Sequence, residues 1–220
     1  MSTEIYKEIS CPKCGAEVKT QMWSGINAEV NPNLRMEVLD EVLFDWTCPE
    51  CGYEAQLAYP CLYHDKSRKF MVYVVPNGNS RNLQSINVKE VFPQLRDVRK
   101  RVVTSLAELK EKVLIFEAGL DDRAVELVKL ALASVVGKKY GKKAVEGYYC
   151  FADEPENRIG FSFFLEGESV PVRQGTRFDV YKKSLEIVQN TAKDDGTKEF
   201  SPVNAQTAQV LLNEYQKSGA

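Results

Sequence analysis

Two short cysteine motifs constrain this chain more than any other feature of its sequence. Each has the form Cys-Pro-X-Cys-Gly, and they lie at residues 11–15 and 48–52. Two cysteines separated by a tight two-residue turn direct both sulfurs at one ion, and two such pairs supply the four thiolates of a tetrahedral zinc site. The sequence therefore predicts one structural Zn²⁺, bound by Cys11, Cys14, Cys48 and Cys51.

A redox or disulfide role is the alternative for these two motifs. A thioredoxin-type pair follows a strand and opens a helix. Here a proline lies inside each motif and a glycine follows it, which is typical of a tight turn. Paired cysteines in a reducing compartment are also more often metal ligands than disulfides, so zinc is the favoured interpretation.

Composition predicts a globular cytoplasmic protein. The chain has 220 residues, of which 44% are hydrophobic, enough for a substantial core. Its N-terminus lacks the basic and then apolar pattern of a signal peptide, and no apolar run approaches the roughly 20 residues of a membrane span. The formal net charge of −2 argues against the positive field of a general nucleic-acid binder.

The first 80 residues predict a β-rich zinc-ribbon domain. Strand-like segments lead into and out of each cysteine motif, and residues 31–43 carry apolar side chains at helical spacing behind an Asn-Pro pair. Trp23 and Trp46 lie close to the motifs, where we expect them to pack beneath the metal. Residues 76–82 form the strongest turn-prone segment inside the chain, which places a domain boundary after residue 80.

Residues 81–220 predict a second domain that combines helices with antiparallel strands. A capping box at residues 105–108 opens one helix, and Asp121 or Asp122 caps the next. Residues 147–152 and 159–165 predict a β-hairpin, and Ser201-Pro202 predicts the start of the last helix. Grouped strands and helices without regular βαβ alternation indicate the α+β class for the whole chain.

Cys61, His64 and Asp65 are the other candidates for chemistry in the N-terminal part. A thiolate–imidazolium pair oriented by the aspartate would be a nucleophile, but residues this close in a strand or turn rarely converge. The favoured interpretation is a buried thiol and a hydrogen-bonded histidine. Cys150 lies in an apolar strand, where we expect it in the core. We assign no catalytic residue.

Two basic clusters raise a nucleic-acid role as an alternative. The favoured interpretation is that they are solvated, with lysines at a helix C-terminus complementing the helix dipole. The clusters comprise Arg96, Arg99, Lys100 and Arg101, and Lys138, Lys139, Lys142 and Lys143.

The two cysteine motifs, the segment Asn33–Asp40 and the stretch Pro-Cys-Leu-Tyr-His-Asp at residues 60–65 together resemble the CpXC-domain proteins of bacteria and archaea. The resemblance covers about the first 76 residues, and residues 99–129 resemble the segment C-terminal to that domain in such proteins. The resemblance implies a zinc-binding fold but does not imply any particular activity. It also suggests that His64 and Asp65 brace the second hairpin or a domain interface.

These features favour a cytoplasmic protein-interaction or adaptor module with a structural Cys₄ zinc site and a protein partner. A nucleic-acid-binding zinc ribbon is one alternative. A hydrolase or transferase with its site between the domains, near Cys61, His64 and Asp65, is another. The sequence leaves the oligomeric state open.

Overall fold

The computed structural model describes residues 1–76, 97–192 and 197–218. The chain divides into two compact units, Met1–Lys110 with Gly196–Phe200, and Glu111–Asp195 with Ser201–Ala220. The domain boundary predicted after residue 80 falls outside the described residues and stays a prediction. In the described part of the chain, no helix is both long and apolar enough to cross a membrane.

The first unit is built on a mixed five-stranded sheet. Its strand order is β1-β2-β5-β6-β7, with parallel pairing of β2 with β5 and of β6 with β7 and antiparallel pairing elsewhere. The strands are β1 (Thr3–Ser10), β2 (Glu17–Asn27), β5 (Cys61–Asp65), β6 (Phe70–Val74) and β7 (Arg99–Val103).

One helix and a second, smaller sheet lie between β2 and β5. Helix α1 (Pro32–Leu39) has its proline in the first turn, where no backbone N–H is needed, and it buries Leu34 and Val38. Strands β3 (Asp45–Thr47) and β4 (Glu54–Gln56) form an antiparallel pair around the second cysteine motif. The predicted strand–motif–strand arrangement is confirmed for both motifs.

The second unit packs helices against a three-stranded antiparallel sheet of order β10-β9-β8. Together with the first unit it confirms the α+β class. Its strands are β8 (Ala144–Asp153), β9 (Arg158–Leu165) and β10 (Val172–Arg177). The helices that follow α1 in the described residues are α2 (Leu106–Glu117), α3 (Asp122–Tyr140), α4 (Phe178–Thr191) and α5 (Ala205–Ser218).

The predicted caps of α2 and α3 are confirmed in detail. The N–H of Glu108 donates to Ser105 Oγ at 3.2 Å, and the N–H of Ser105 donates back to the Glu108 carboxylate at 3.3 Å. This reciprocal pair is a capping box. At α3, the Asp121 side chain accepts the N–H of Arg123 at 2.9 Å.

The start of the last helix was predicted wrongly. Helix α5 begins at Ala205, and its cap is Asn204, whose Oδ1 accepts the N–H groups of Gln206 and Thr207 at 3.0 and 3.2 Å. Asparagine caps a helix as well as serine does, so the pattern at Ser201-Pro202 alone could not decide between the two starts. The sequence pattern also gave no sign of β10, a polar strand that is identified only by its pairing with β9.

Candidate metal centre

Both cysteine motifs fold into the same backbone turn, which we call a knuckle. In the first, the N–H of Cys11 donates to the Ala16 carbonyl at 2.9 Å, and the N–H of Gly15 donates to the Cys11 carbonyl at 2.8 Å. The second knuckle repeats both bonds between equivalent residues, at 2.8 and 2.9 Å. Gly15 and Gly52 have φ angles of +74° and +66°, a region that favours glycine. The glycine after each motif is thus required by the turn.

The two knuckles bring four sulfurs together into what we call the cysteine cluster (Cys11, Cys14, Cys48 and Cys51). All four Sγ atoms lie within 4.8 Å of one another. Across the knuckles, the Cys11–Cys51 and Cys14–Cys48 sulfurs are 3.7 and 3.8 Å apart. Zn–S bonds of about 2.3 Å in a regular tetrahedron place the sulfurs about 3.8 Å apart. The cluster could hold a metal ion, and its spacing fits zinc.

The cluster has a buried side and an open side. Cys11 and Cys48, the first cysteine of each knuckle, are buried, whereas Cys14 is exposed and Cys51 is half-buried. Trp46 packs against the buried pair, and its Nε1 donates to Thr20 Oγ1 at 3.0 Å. The predicted packing role of Trp46 is confirmed, and the tryptophan anchors the second knuckle to strand β2.

Backbone N–H groups are directed at the sulfurs and shift their ionisation. Burial raises the pKa of Cys11, but hydrogen bonds from the N–H groups of Cys14 and Lys13, together with those from the Cys48 and Cys14 thiols, outweigh it, so the pKa falls to about 6. At Cys51 the N–H of Tyr53 lowers the pKa, yet burial and the neighbouring sulfurs raise it to about 12. The sulfurs therefore differ in how readily they lose a proton, and neighbouring sulfurs make the ionisation of Cys51 harder. A cation in their midst is what allows them all to be thiolates.

Cys61 and His64 cannot act as a catalytic pair. They lie three residues apart on β5, so the alternation of the strand puts their side chains on opposite faces. Cys61 is completely buried, and burial raises the pKa of its thiol to about 12. Burial also lowers the pKa of His64. The geometry does not support the hydrolase or transferase alternative at these residues.

Asp65 has a structural partner in its own turn. Its buried carboxylate accepts the backbone N–H of Arg68 at 2.9 Å and pairs with the Arg68 guanidinium at 2.8 Å. These contacts fix the turn between β5 and β6. The suggestion that His64 and Asp65 brace the second zinc hairpin or a domain interface stays a prediction.

Two further expectations about individual side chains were wrong. Cys150 is exposed rather than in the core, because it follows the inward-facing Tyr149 and the alternation of the strand turns it outward. Lys100 and Arg101 are 1% exposed, so they do not form a surface patch. Lys100 instead donates to the carbonyl oxygens of Val98 and Thr197, and Arg101 donates to that of Lys100. Arg96 lies outside the described residues.

A cluster of charges buried in the second unit, which we call the ion network, was not predicted from the sequence. Lys112 lies 3.2 Å from Asp122 and 3.5 Å from Glu126, and Lys129 lies 2.9 Å from Glu126. Glu111 completes it, pairing with Lys129 at 2.8 Å and accepting the backbone N–H of Tyr149 at 2.6 Å. Asp122, Glu126 and Lys129 share one face of α3, and such a charged stripe ordinarily indicates a solvated helix face.

Burial and charge pairing oppose each other in the ion network: burial raises the pKa of Glu126, against the lowering effect of Lys112 and Lys129. Burial opposes the charge of Lys129, but the carboxylates of Glu111 and Glu126 outweigh that effect and raise its pKa. Lys112 also donates to the Val203 carbonyl at 2.9 Å, just ahead of α5. The network thus joins α2, α3, β8 and the segment before α5, and all of these contacts serve the packing of the unit.

Comparison with known proteins identifies one family. The family described as CpXC protein matches residues 9–129, which include both knuckles, β5 and all five charged residues of the ion network. The comparisons with curated proteins and with solved structures found no match. Because the family match spans more than half of the 220 residues, the chain belongs to the CpXC family.

Proposed function

We propose that this protein is a cytoplasmic protein-interaction or adaptor module whose zinc-ribbon part is held by one structural Zn²⁺ on Cys11, Cys14, Cys48 and Cys51. The observation that carries the proposal is the cysteine cluster, with sulfurs 3.7 and 3.8 Å apart across the knuckles. An all-thiolate set favours zinc over magnesium, calcium or manganese, which prefer oxygen ligands.

The ligand set supports a structural role for the metal. Four thiolates fill a tetrahedral coordination sphere and leave no position for a substrate or a water molecule. The apolar cluster beside the sulfurs is small, with Cys11, Trp46 and Cys48 as its buried members. The metal would supply the stability that so small a cluster cannot.

Metal analysis of the purified full-length protein tests the zinc assignment. We expect one zinc per chain by native mass spectrometry and elemental analysis. Cys48→Ser should lose the zinc, whereas Cys150→Ser, which changes an exposed cysteine outside the cluster, should retain it. Absence of stoichiometric zinc in the wild type, or equal metal content in both variants, would overturn the assignment.

The adaptor role is tested by capture from the native cell. Tagged zinc-loaded protein and the Cys48→Ser variant are used as baits, and the bound protein and nucleic acid are identified. A protein partner retained only by the zinc-loaded bait supports the proposal.

The alkylation rate of Cys61 tests the hydrolase or transferase alternative. A thiol with a pKa of about 12 should react slowly, so alkylation at neutral pH faster than that of a free thiol would favour an enzyme.

A further inference from the structure

Among the described residues, the helices of the second unit leave one face of its sheet open. Helices α3 and α4 pack on the inner face, where alternate residues of β9 are buried. The register assigns the intervening residues of β9, with their cross-strand partners on β8 and β10, to the opposite side, which we call the outer face. Its members include Tyr148, Phe151, Arg158, Phe164, Arg173 and Arg177.

Aromatic side chains occupy the outer face, where an antiparallel sheet ordinarily presents polar residues. Phe151 is 42% exposed. Tyr148 and Phe164 are half-buried and meet edge to face, with ring centroids 6.3 Å apart. The outer face therefore presents apolar rings on a flat backbone surface.

A β-bulge places Phe151 on this face. Tyr149 is buried on the inner face, and regular alternation would turn Phe151 inward as well. The irregularity between Tyr149 and Phe151 instead sets Phe151 across from Gly160. A Cβ at Gly160 would lie 2.3 Å from the Phe151 ring, so a larger residue there would force the ring to move. Bulges of this kind re-aim side chains, and this one exposes a ring that a regular strand would bury.

Three arginines lie beside these rings. Arg158, Arg173 and Arg177 are exposed, and Arg177 lies directly across from Arg158 in the pairing of β9 with β10. Like charges directly opposite each other destabilise a sheet, although Asp153 on β8 lies across from Arg158 on its other side. The Arg158 guanidinium lies 5.6 Å from the centroid of the Phe151 ring, and Arg177 also pairs with Asp179 at 2.5 Å.

Apart from Asp179 of α4, which pairs with Arg177, the carboxylates of the outer face belong to β8 and accept hydrogen bonds there. Glu146 accepts the Tyr148 hydroxyl at 3.0 Å, and Asp153 accepts the N–H of Glu156 at 3.1 Å. The outward positions of β9 and β10 carry arginine, glycine, serine and phenylalanine, with no acidic residue. The basic charge is thus concentrated on one half of the face, next to the aromatic half.

We propose that the outer face binds single-stranded nucleic acid, with bases stacked on Phe151 and Phe164 and phosphates at Arg158 and Arg173. Unpaired bases stack on exposed rings of a flat sheet, and nearby arginines neutralise the backbone. This site is separate from the metal centre and does not depend on the adaptor role. The proposal is compatible with the formal net charge of −2, because the positive charge it needs is confined to the outer face.

Fluorescence anisotropy on the zinc-loaded full-length protein tests the proposal, with short labelled oligouridylate and oligothymidylate as probes. We expect binding that weakens as salt increases. The double variant Arg158→Gln, Arg173→Gln should weaken it about tenfold and reduce the salt slope by about 1.4, roughly 0.7 for each lost phosphate contact. Phe151→Leu should weaken binding about fivefold with an unchanged slope, since it removes stacking alone.

The matched control is Lys138→Gln, Lys139→Gln, which removes the same charge from exposed residues in the last turn of α3. This variant should bind like the wild type. The proposal is overturned if the wild type shows no salt-dependent binding or if the lysine variant loses as much as the arginine variant. Displacement of the probe by polyglutamate as readily as by unlabelled oligonucleotide would also overturn it and indicate an acidic protein. Thermal melts check that every variant is folded.

Discussion

The region around the cysteine cluster and the second unit of this protein are stabilised in different ways. Beside the cysteine cluster of the first unit, the buried apolar residues are few, with Cys11, Trp46 and Cys48 at their centre. The second unit instead combines completely buried aliphatic residues with buried charges, among them Val113, Val125, Val128, Ile159 and Asp122. A small β-rich region gains most from a metal, whereas a helix-covered sheet can bury enough surface by itself.

The two tryptophans make this difference measurable. Trp23 and Trp46 both belong to the first unit, and the sequence contains no other tryptophan. Tryptophan fluorescence therefore reports the first unit, while far-ultraviolet circular dichroism is dominated by the helices, most of which belong to the second.

Removal of the metal should give the largest effect. Structural zinc contributes about 10 kcal/mol or more to the folding of small domains. Chelation, or Cys48→Ser, should therefore abolish the contribution of Trp46, which packs beside the cysteine cluster, to the tryptophan signal and leave most of the helical dichroism. Cys150→Ser is the control and should behave as the wild type. An unchanged tryptophan spectrum after complete zinc removal would show that the region around the cysteine cluster does not depend on the metal.

A break in the ion network should give the next largest effect, confined to the second unit. Lys112→Met leaves Asp122 and Glu126 without a cation that they contact at 3.2 and 3.5 Å. Loss of one partner from a buried ion pair costs about 3–5 kcal/mol. Urea unfolding followed by circular dichroism should show that loss.

The control for this change is Lys110→Met. Lys110 pairs with Glu41 at 2.9 Å, but both side chains are at least one-third exposed. An exposed pair contributes about 0–1 kcal/mol. Equal destabilisation by the two substitutions would show that the network is not a distinct source of stability.

Local signals in the sequence were sufficient to predict the knuckles and the caps of α2 and α3. Proline and glycine fix the turns, and Ser105 and Asp121 satisfy backbone groups within three residues of themselves. The sequence could not reveal features that depend on distant partners. The exposure of Phe151 follows from the irregular pairing of β8 with β9, and the burial of Lys100 follows from a carbonyl at Thr197.

A helix cap supplied by a different element should give a smaller effect. Asn157, in the turn between β8 and β9, accepts the N–H of Asp179 on its Oδ1 and donates from Nδ2 to the Asp179 carboxylate, both at 3.0 Å. Asn157→Gly should cost about 1 kcal/mol, as loss of a cap does. Asn157→Ala should cost more, because residue 157 has a φ of +51°.

The control for the cap is Asn213→Ala, an exposed asparagine in the interior of α5, which should change stability by less than about 0.5 kcal/mol. All three variants are compared by circular dichroism in urea. If Asn157→Gly were as stable as the wild type, α4 would not depend on the turn between β8 and β9.

The smallest expected effect is a dependence of the first unit on pH, because the only histidine of the chain lies there. Burial lowers the pKa of His64, against the opposing charges of Glu29 and Asp65. The unfolded chain takes up a proton near pH 6.5, whereas folded His64 does so only at lower pH. Its contribution to stability is thus complete above about pH 6.5 and is lost as the pH falls toward the folded pKa.

The tryptophan-detected unfolding midpoint should accordingly fall between about pH 7.5 and pH 6 more in the wild type than in His64→Gln. Acid would also protonate the four thiolates of the proposed zinc site, but that loss is common to both proteins and cancels in their difference. Parallel pH profiles would mean that His64 has the same proton affinity folded and unfolded. The helical signal of the second unit has no histidine to titrate, so its difference between the two proteins should be flat across this range.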